Sequence, residues 1–115
     1  MKRGLARLLG APLLACCLLM TSGCGKPPTK DECNALLDHY VELLVNSDRP
    51  GTSASELHKL QLLAREKANG KCDAAGKCEV LPDPEFMACG DRVSRKAFEC
   101  AMSAPNADVL EQCLL

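Results

Sequence analysis

The chain has 115 residues and a formal net charge of −1, and 47% of its residues are hydrophobic but only 3% aromatic. That length suits one domain and disfavours two. The near-neutral charge argues against nucleic-acid binding, which requires a concentrated basic surface. Nine cysteines give the chain nearly the cysteine content of a disulfide scaffold, but an odd number cannot all pair with one another.

The first 23 residues have the three parts of a secretory signal peptide. Residues 1–7 carry three basic side chains and no acidic one, residues 8–20 are uncharged and mostly apolar, and residues 21–23 are small. The apolar run is shorter than the roughly 20 residues of a membrane-spanning helix. A core helix is the alternative, but every acidic residue lies after position 30. The pattern therefore predicts export and removal of residues 1–23.

The segment Ser22-Gly23-Cys24 resembles the cleavage site of bacterial lipoprotein signal peptides, although Thr21 stands where that class most often has Leu. The resemblance implies that Cys24 carries a diacylglyceryl group and an added N-acyl chain, such as palmitate. It also implies sorting to the outer membrane, on its periplasmic or its surface side, because Gly25 rather than Asp follows the anchor. A competing site ends at Cys16, but it would leave an unusually short apolar run.

Removing residues 1–23 and lipidating Cys24 leaves six cysteines, an even number that can pair completely in an oxidising compartment. Choosing Cys16 would leave eight, so parity supports export without fixing the cleavage site. Six cysteines permit fifteen pairings. The pairs we prefer are Cys100–Cys113, which flanks a turn at Pro105-Asn106, then Cys33–Cys89 and a local Cys72–Cys78.

Residues 24–30 are predicted to form a short polar tether with two prolines, and residues 31–115 an all-α domain. Capping boxes at Thr29 and Ser53, each followed by apolar residues at helical spacing, predict helices over about 30–46 and 53–69. The first apolar stripe begins at Cys33, and the second includes Leu63.

The second half of the chain is predicted to be helical after a loop at residues 71–82, and no strand is expected. Asp83-Pro84 starts a short helix that ends at Gly90. Ser94 caps a helix that places Cys100 on its inner face, and residues 107–115 form the last helix. The expected fold is a small disulfide-stapled bundle of about four helices, with three disulfides supporting a thin core.

The segment from Val93 to Cys113 is similar to uncharacterised small helical lipoproteins of Gram-negative bacteria, which place a helix cysteine and a terminal cysteine on either side of a short turn. The resemblance covers roughly the last quarter of the chain. It supports the Cys100–Cys113 pair and implies no activity.

The sequence contains no recognisable catalytic, cofactor-binding or metal-binding constellation. Redox enzymes use Cys-x-x-Cys at a helix start, and zinc sites use similarly close pairs, whereas five residues separate Cys72 from Cys78. His39 is expected on the solvent side of the first helix, and His58 is isolated. The chain has no G-x-S-x-G nucleophile turn and no glycine-rich phosphate loop.

Arg92, Arg95 and Lys96 form a small basic cluster that is expected to be solvated, with contact to anionic headgroups or polysaccharide as the functional alternative. We therefore expect a non-enzymatic lipoprotein, without a cofactor, that is held in the membrane by Cys24 and binds an envelope protein or polysaccharide. Thiol–disulfide or metal handling in the envelope is the alternative.

Overall fold

The computed structural model describes residues 25–115, so the predicted signal peptide and Cys24 lie outside the described residues. The described chain is helical apart from one small hairpin, which confirms the predicted all-α, disulfide-stapled fold. Its elements, in chain order, are α1 (Lys30–Asp48), α2 (Ala54–Asn69), β1 (Lys71–Cys72), β2 (Cys78–Val80), α3 (Pro84–Met87), α4 (Cys89–Arg92), α5 (Arg95–Met102) and α6 (Ala107–Cys113).

Helix starts are set by local capping side chains. At α1 the Thr29 hydroxyl accepts from the Glu32 backbone N–H (3.2 Å), and the Glu32 carboxylate accepts from the Thr29 N–H (3.0 Å). Ser53, Asp83 and Ser94 also accept backbone hydrogen bonds at the starts of α2, α3 and α5. These caps satisfy N–H groups that have no partner within a helix, which explains why the predicted starts are confirmed.

The core lies between α1 and the pair α5–α6. Its buried members are Leu36, Phe98, Ala101, Ala104 and Leu110. Ala101 is fully buried and Leu110 is 1% exposed. Ala101 and Ala104 are small side chains buried in this core, where Phe98 is the one aromatic ring among the buried members.

The contact between α1 and α2 includes an ion pair and several hydrogen bonds. The Arg65 guanidinium donates to both carboxylate oxygens of Asp38, through Nε at 2.9 Å and Nη2 at 2.5 Å. The Gln61 amide donates to the Asp38 carbonyl oxygen (3.1 Å), and the Asn69 amide donates to Asn34 Oδ1 (2.8 Å). These bonds turn the polar residues of α2 toward α1. The prediction that Leu63 faces inward is therefore wrong, since that side chain is 57% exposed.

A short antiparallel hairpin replaces the loop predicted at residues 71–82. Lys71 pairs with Val80, and Cys72 pairs with Cys78. The Asp73 carboxylate accepts from the backbone N–H groups of Ala75 and Lys77 and so closes the turn between the strands. Strands of two and three residues are too short to show a period-two pattern, so the expectation of no strand is wrong here.

The short helix predicted to end at Gly90 is in fact two single-turn helices, α3 and α4, with Gly90 inside the second. The backbone at Gly90 lies close to the backbone at Pro28. A Cβ added at Gly90 would lie 3.2 Å from the Pro28 carbonyl oxygen. Glycine is therefore used here for close backbone approach, and the expectation of a helix-ending role is wrong.

Three disulfides connect the described cysteines, and they coincide with the pairs preferred from the sequence. The Cα–Cα distances are 6.3 Å for Cys33–Cys89, 3.9 Å for Cys72–Cys78 and 5.7 Å for Cys100–Cys113. Cys33 and Cys89 are buried, but Cys100 is exposed and does not lie on the inner face of α5 as expected. Phe98 and Ala101 are the buried residues of α5, and Cys113 is partly buried against the core.

These disulfides are characteristic of a protein that folds in an oxidising, exported environment. Within residues 25–115, no helix is both long enough and apolar enough to cross a bilayer. The core and all three disulfides come from residues 33–113. The described part of the chain therefore contains the contacts that stabilise it.

Candidate functional site

An open groove of about 620 Å³ runs between α1, the α3–α4 segment and α6. Its floor is apolar and consists of Cys33, Leu36, Leu37, Phe86, Cys89, Val93, Leu110 and Leu114. Its rim is polar and consists of Tyr40, Asp83, Glu85, Arg92 and Glu111. We call this feature the α1–α6 groove.

The walls of the α1–α6 groove are held together by covalent and core contacts. The Cys33–Cys89 disulfide ties the first turn of α1 to α4 beneath the groove. Leu36 and Leu110 belong both to the floor and to the buried core. At the other wall the Asp83 carboxylate accepts from the Glu85 N–H (2.9 Å) and fixes the start of α3. The groove is therefore part of the packed structure.

The rim of the groove is predominantly acidic. Three carboxylates, Asp83, Glu85 and Glu111, stand against a single guanidinium, that of Arg92. Within residues 25–115 no salt bridge pairs these carboxylates with a cation. The rim therefore presents a net negative charge to whatever enters the groove.

Tyr40 joins the two sides of the rim. Its hydroxyl donates to a carboxylate oxygen of Glu111 (3.3 Å), which links α1 to α6. Partial burial raises the pKa of Tyr40, and the nearby negative charges of Glu111 and Asp108 raise it further. The hydroxyl therefore stays protonated and remains a donor to the acidic rim.

The six cysteines singled out from the sequence are placed in disulfides. Among the described residues, no three metal-ligating side chains of the His, Cys, Asp and Glu types lie close enough to hold a metal ion. His58 is exposed on α2.

His39 is half-buried, so the expectation that it faces solvent is wrong. Its Nε2–H donates to the Ala104 carbonyl oxygen (3.2 Å), in the turn between α5 and α6. His39 therefore lies on the side of α1 that faces α5 and α6, beyond the apolar residues of that helix. Its hydrogen bond attaches the turn between α5 and α6 to α1.

Arg95 has a structural role that the sequence did not reveal. It was expected to be solvated, but its side chain is only 17% exposed. Its guanidinium binds both carboxylate oxygens of Glu32 (2.6 and 2.8 Å) and lies 5.3 Å from the Phe98 ring centroid. The other two residues of the basic cluster, Arg92 and Lys96, are exposed as expected.

The same guanidinium holds the residues that precede α1, which we call the N-terminal strap (residues 26–29). Arg95 donates to the carbonyl oxygens of Lys26 (3.1 Å) and Pro27 (3.3 Å), and Pro28 is buried. The described part of the predicted tether thus packs on the domain. No sequence signal could have revealed this contact, because Arg95 lies 63 positions from Glu32 and still farther from the strap.

Arg95 and the strap also determine the charge of Glu32. The hydrogen bond from Arg95 is the largest cause, followed by the Thr29 backbone N–H, and together they lower the pKa of Glu32 from 4.5 to about 2. Glu32 is therefore ionised at any physiological pH. We call the contacts of Arg95 with Glu32 and with the N-terminal strap the Arg95 clamp. Its ion pair remains charged at physiological pH.

The α1–α6 groove suits binding. Its apolar floor and charged rim accommodate a ligand that buries apolar groups and places opposite charges at the edge.

Comparison with known proteins finds no protein family, no curated protein and no solved structure that matches the chain.

Proposed function

We propose that the protein is a lipoprotein of the bacterial cell envelope, attached to the outer membrane through lipid on Cys24, and that it works by non-catalytic binding of another envelope component. The observation that carries the proposal concerns the cysteines. All six in residues 25–115 pair with one another, so Cys24 has no disulfide partner among them. Lipidation accounts for a cysteine at that position directly after a signal-like segment.

The N-terminal strap supports a close attachment to the membrane. Lys26, two positions after Cys24, is already held by Arg95. A lipid on Cys24 would therefore hold the domain at the bilayer surface. Each buried CH₂ contributes about 0.8 kcal/mol, and stable anchoring requires more than one acyl chain.

The α1–α6 groove supports binding as the activity. Its volume is about 620 Å³, and its lining contains neither a histidine nor a free thiol. An envelope protein is the partner that fits such a groove best. The lining contains no amide side chain, and its two aromatic side chains, Tyr40 and Phe86, are half-buried, which favours a protein over a polysaccharide.

Intact mass spectrometry of the native protein tests the anchor. We expect a chain that begins at Cys24, carries acyl chains, and gains six alkyl groups only when reduction precedes alkylation. Cys24→Ser should abolish the lipid, whereas the matched variant Cys16→Ser should keep it. A mature chain without lipid would contradict the proposal. A thiol that is alkylated before reduction would instead favour the thiol-handling alternative.

Crosslinking in intact envelopes at native abundance tests the binding role. We expect the bait to be recovered together with a defined envelope protein. Recovery of the bait alone, after efficient crosslinking, would contradict a role in binding.

A further inference from the structure

We propose that the α1–α6 groove binds a cationic amphipathic segment of a partner protein, with apolar side chains on the floor and lysine or arginine side chains at the rim. This inference rests on the proposed binding function and deepens it, since it names the site and the chemistry of the partner. It is carried by the shape, the rigidity and the charge of the groove.

The shape fits side chains from one face of an extended element. A volume of about 620 Å³ lies within the range of pockets that enclose a drug-sized ligand, about 300–1,000 Å³, so the groove has room for a few side chains. The groove runs along α1 from Cys33 to Tyr40, two turns of helix, and is open on its outer side. An amphipathic helix that places its apolar residues three and four positions apart can seat them along such a groove.

The floor is already assembled before a partner arrives. The Cys33–Cys89 disulfide fixes the separation of α1 and α4, and Leu110 of α6 is 1% exposed in the core below. A preformed groove avoids the ordering cost that weakens binding to a mobile surface. Little of the free energy gained from apolar contact is therefore offset by ordering the groove.

The rim determines the sign of the partner's charge. Asp83, Glu85 and Glu111 outnumber Arg92, and among the described residues none of the three is in a salt bridge. Lysine or arginine side chains beside the apolar anchors would find complementary charges there. A fatty acid, an anionic lipid headgroup or an acidic peptide would face like charge, which disfavours binding. A cationic amphipathic protein segment satisfies both the floor and the rim.

The experiment measures the fluorescence anisotropy of two designed helical peptides in the presence of the protein. Both carry leucines on one face, and the opposite face is lysine in one peptide and glutamate in the other. The protein is residues 24–115 with Cys24→Ser, which retains the core and the disulfides described above. We expect saturable, salt-sensitive binding of the lysine peptide, and binding of the glutamate peptide on the order of tenfold weaker.

A rim variant locates the interaction. Glu85→Lys should weaken binding of the lysine peptide on the order of fivefold and strengthen binding of the glutamate peptide. The matched control is Glu66→Lys, an exposed carboxylate on α2 that does not line the groove. That control should change both affinities less than about twofold. Amide chemical shifts in the NMR spectrum of the unaltered protein should move around the groove on addition of the lysine peptide.

The inference would be overturned if the two peptides bound equally well, or if Glu66→Lys weakened binding of the lysine peptide as much as the rim variant does. Chemical-shift changes confined to another face of the protein would also overturn it. So would preferential binding of a fatty acid probe, or self-association of the protein through the groove. Absence of peptide binding, with Cys24 lipidated and an envelope partner crosslinked, would remove this inference and leave the proposed function standing. Absence of lipid on Cys24 would contradict the proposed function whatever the peptides do.

Discussion

The two sides of α1 are held to the rest of the molecule by different kinds of contact. The side that faces α4, α5 and α6, which we call the apolar side, buries Leu36 against Phe98 and Leu110. The side that faces α2, which we call the polar side, relies on hydrogen bonds and an ion pair around Asp38. One helix thus supports two interfaces, and the cluster of buried apolar side chains lies at the first of them.

The difference explains where the exposed leucines are. On α2 only Ala68 is buried, while Leu62 and Leu63 are 51% and 57% exposed. Hydrogen bonds fix the angle and register of α2, but their net contribution to stability is small because they replace bonds to water. We therefore expect the apolar side to provide most of the stability and the polar side to provide mainly geometry.

The largest expected effect comes from the disulfide that ties α1 to α4 on the apolar side, compared with the disulfide within the hairpin. Cys33–Cys89, on the apolar side, links positions 56 residues apart, whereas Cys72–Cys78, beyond α2, links positions 6 apart. Loop-closure entropy predicts stabilisation of about 4 kcal/mol for the first and about 2 kcal/mol for the second. Replacing each pair with alanines, followed by urea denaturation, should reproduce that order. Equal losses from the two pairs would contradict the entropic argument.

Leu110→Ala tests the apolar packing itself. Leu110 is 1% exposed, and truncation should destabilise the protein by about 3 kcal/mol because it leaves a cavity between α1 and α6. The control is Leu63→Ala on α2, which should change the free energy of unfolding by less than about 0.5 kcal/mol. Comparable losses in the two variants would mean that α2 is packed as tightly as α6.

Asp38→Asn weakens the polar side. The ion pair with Arg65 is bidentate, but the Arg65 side chain is 41% exposed and that of Asp38 is 27% exposed. We expect a loss of about 1 kcal/mol, reduced further by salt, because partly exposed pairs are screened by solvent. Glu56→Gln is the control, since the Glu56–Arg49 pair is longer (3.9 Å) and more exposed. If Asp38→Asn lowered the free energy of unfolding as much as Leu110→Ala does, the two sides of α1 would contribute equally to stability, which would contradict the comparison.

Much of the fold could be predicted because its signals are local. Thr29, Ser53, Asp83 and Ser94 each cap a helix within three residues of themselves, and the helix starts follow from them. The pair Cys100–Cys113 is likewise close in sequence and flanks a recognisable turn. Such features need no knowledge of how distant elements pack.

The rest depends on contacts between distant parts of the chain. The exposed position of Leu63 follows from the Arg65–Asp38 pair, 27 residues apart, which rotates α2. The rim of the α1–α6 groove combines Asp83 and Glu85 with Glu111, which are unremarkable as single acidic residues. Its charge pattern exists only after α3 and α6 have packed on α1, so no spacing in the sequence could indicate it.

The smallest expected effect concerns an ion pair on the apolar side and is measured as a pKa. Arg95 is only 17% exposed where it binds Glu32, so this pair is more enclosed than Arg65–Asp38. A carboxylate NMR titration should place the pKa of Glu32 at about 2, and Arg95→Met should return it toward 4.5. A titration near 4.5 in the unaltered protein would show that the clamp on the N-terminal strap does not form.

The sign of the pH dependence follows from that shift. Because the pKa of Glu32 is lower in the folded state, the ionised form favours folding, and its contribution is complete above about pH 4.5. The contribution is lost as the pH falls from 4.5 toward 2, when the folded protein also takes up the proton. Glu32→Gln should therefore flatten the stability profile in that window, whereas Glu42→Gln, an exposed carboxylate on the same helix, should leave it unchanged. An equal flattening in both variants would assign the acid sensitivity to general charge repulsion and not to the Arg95 clamp.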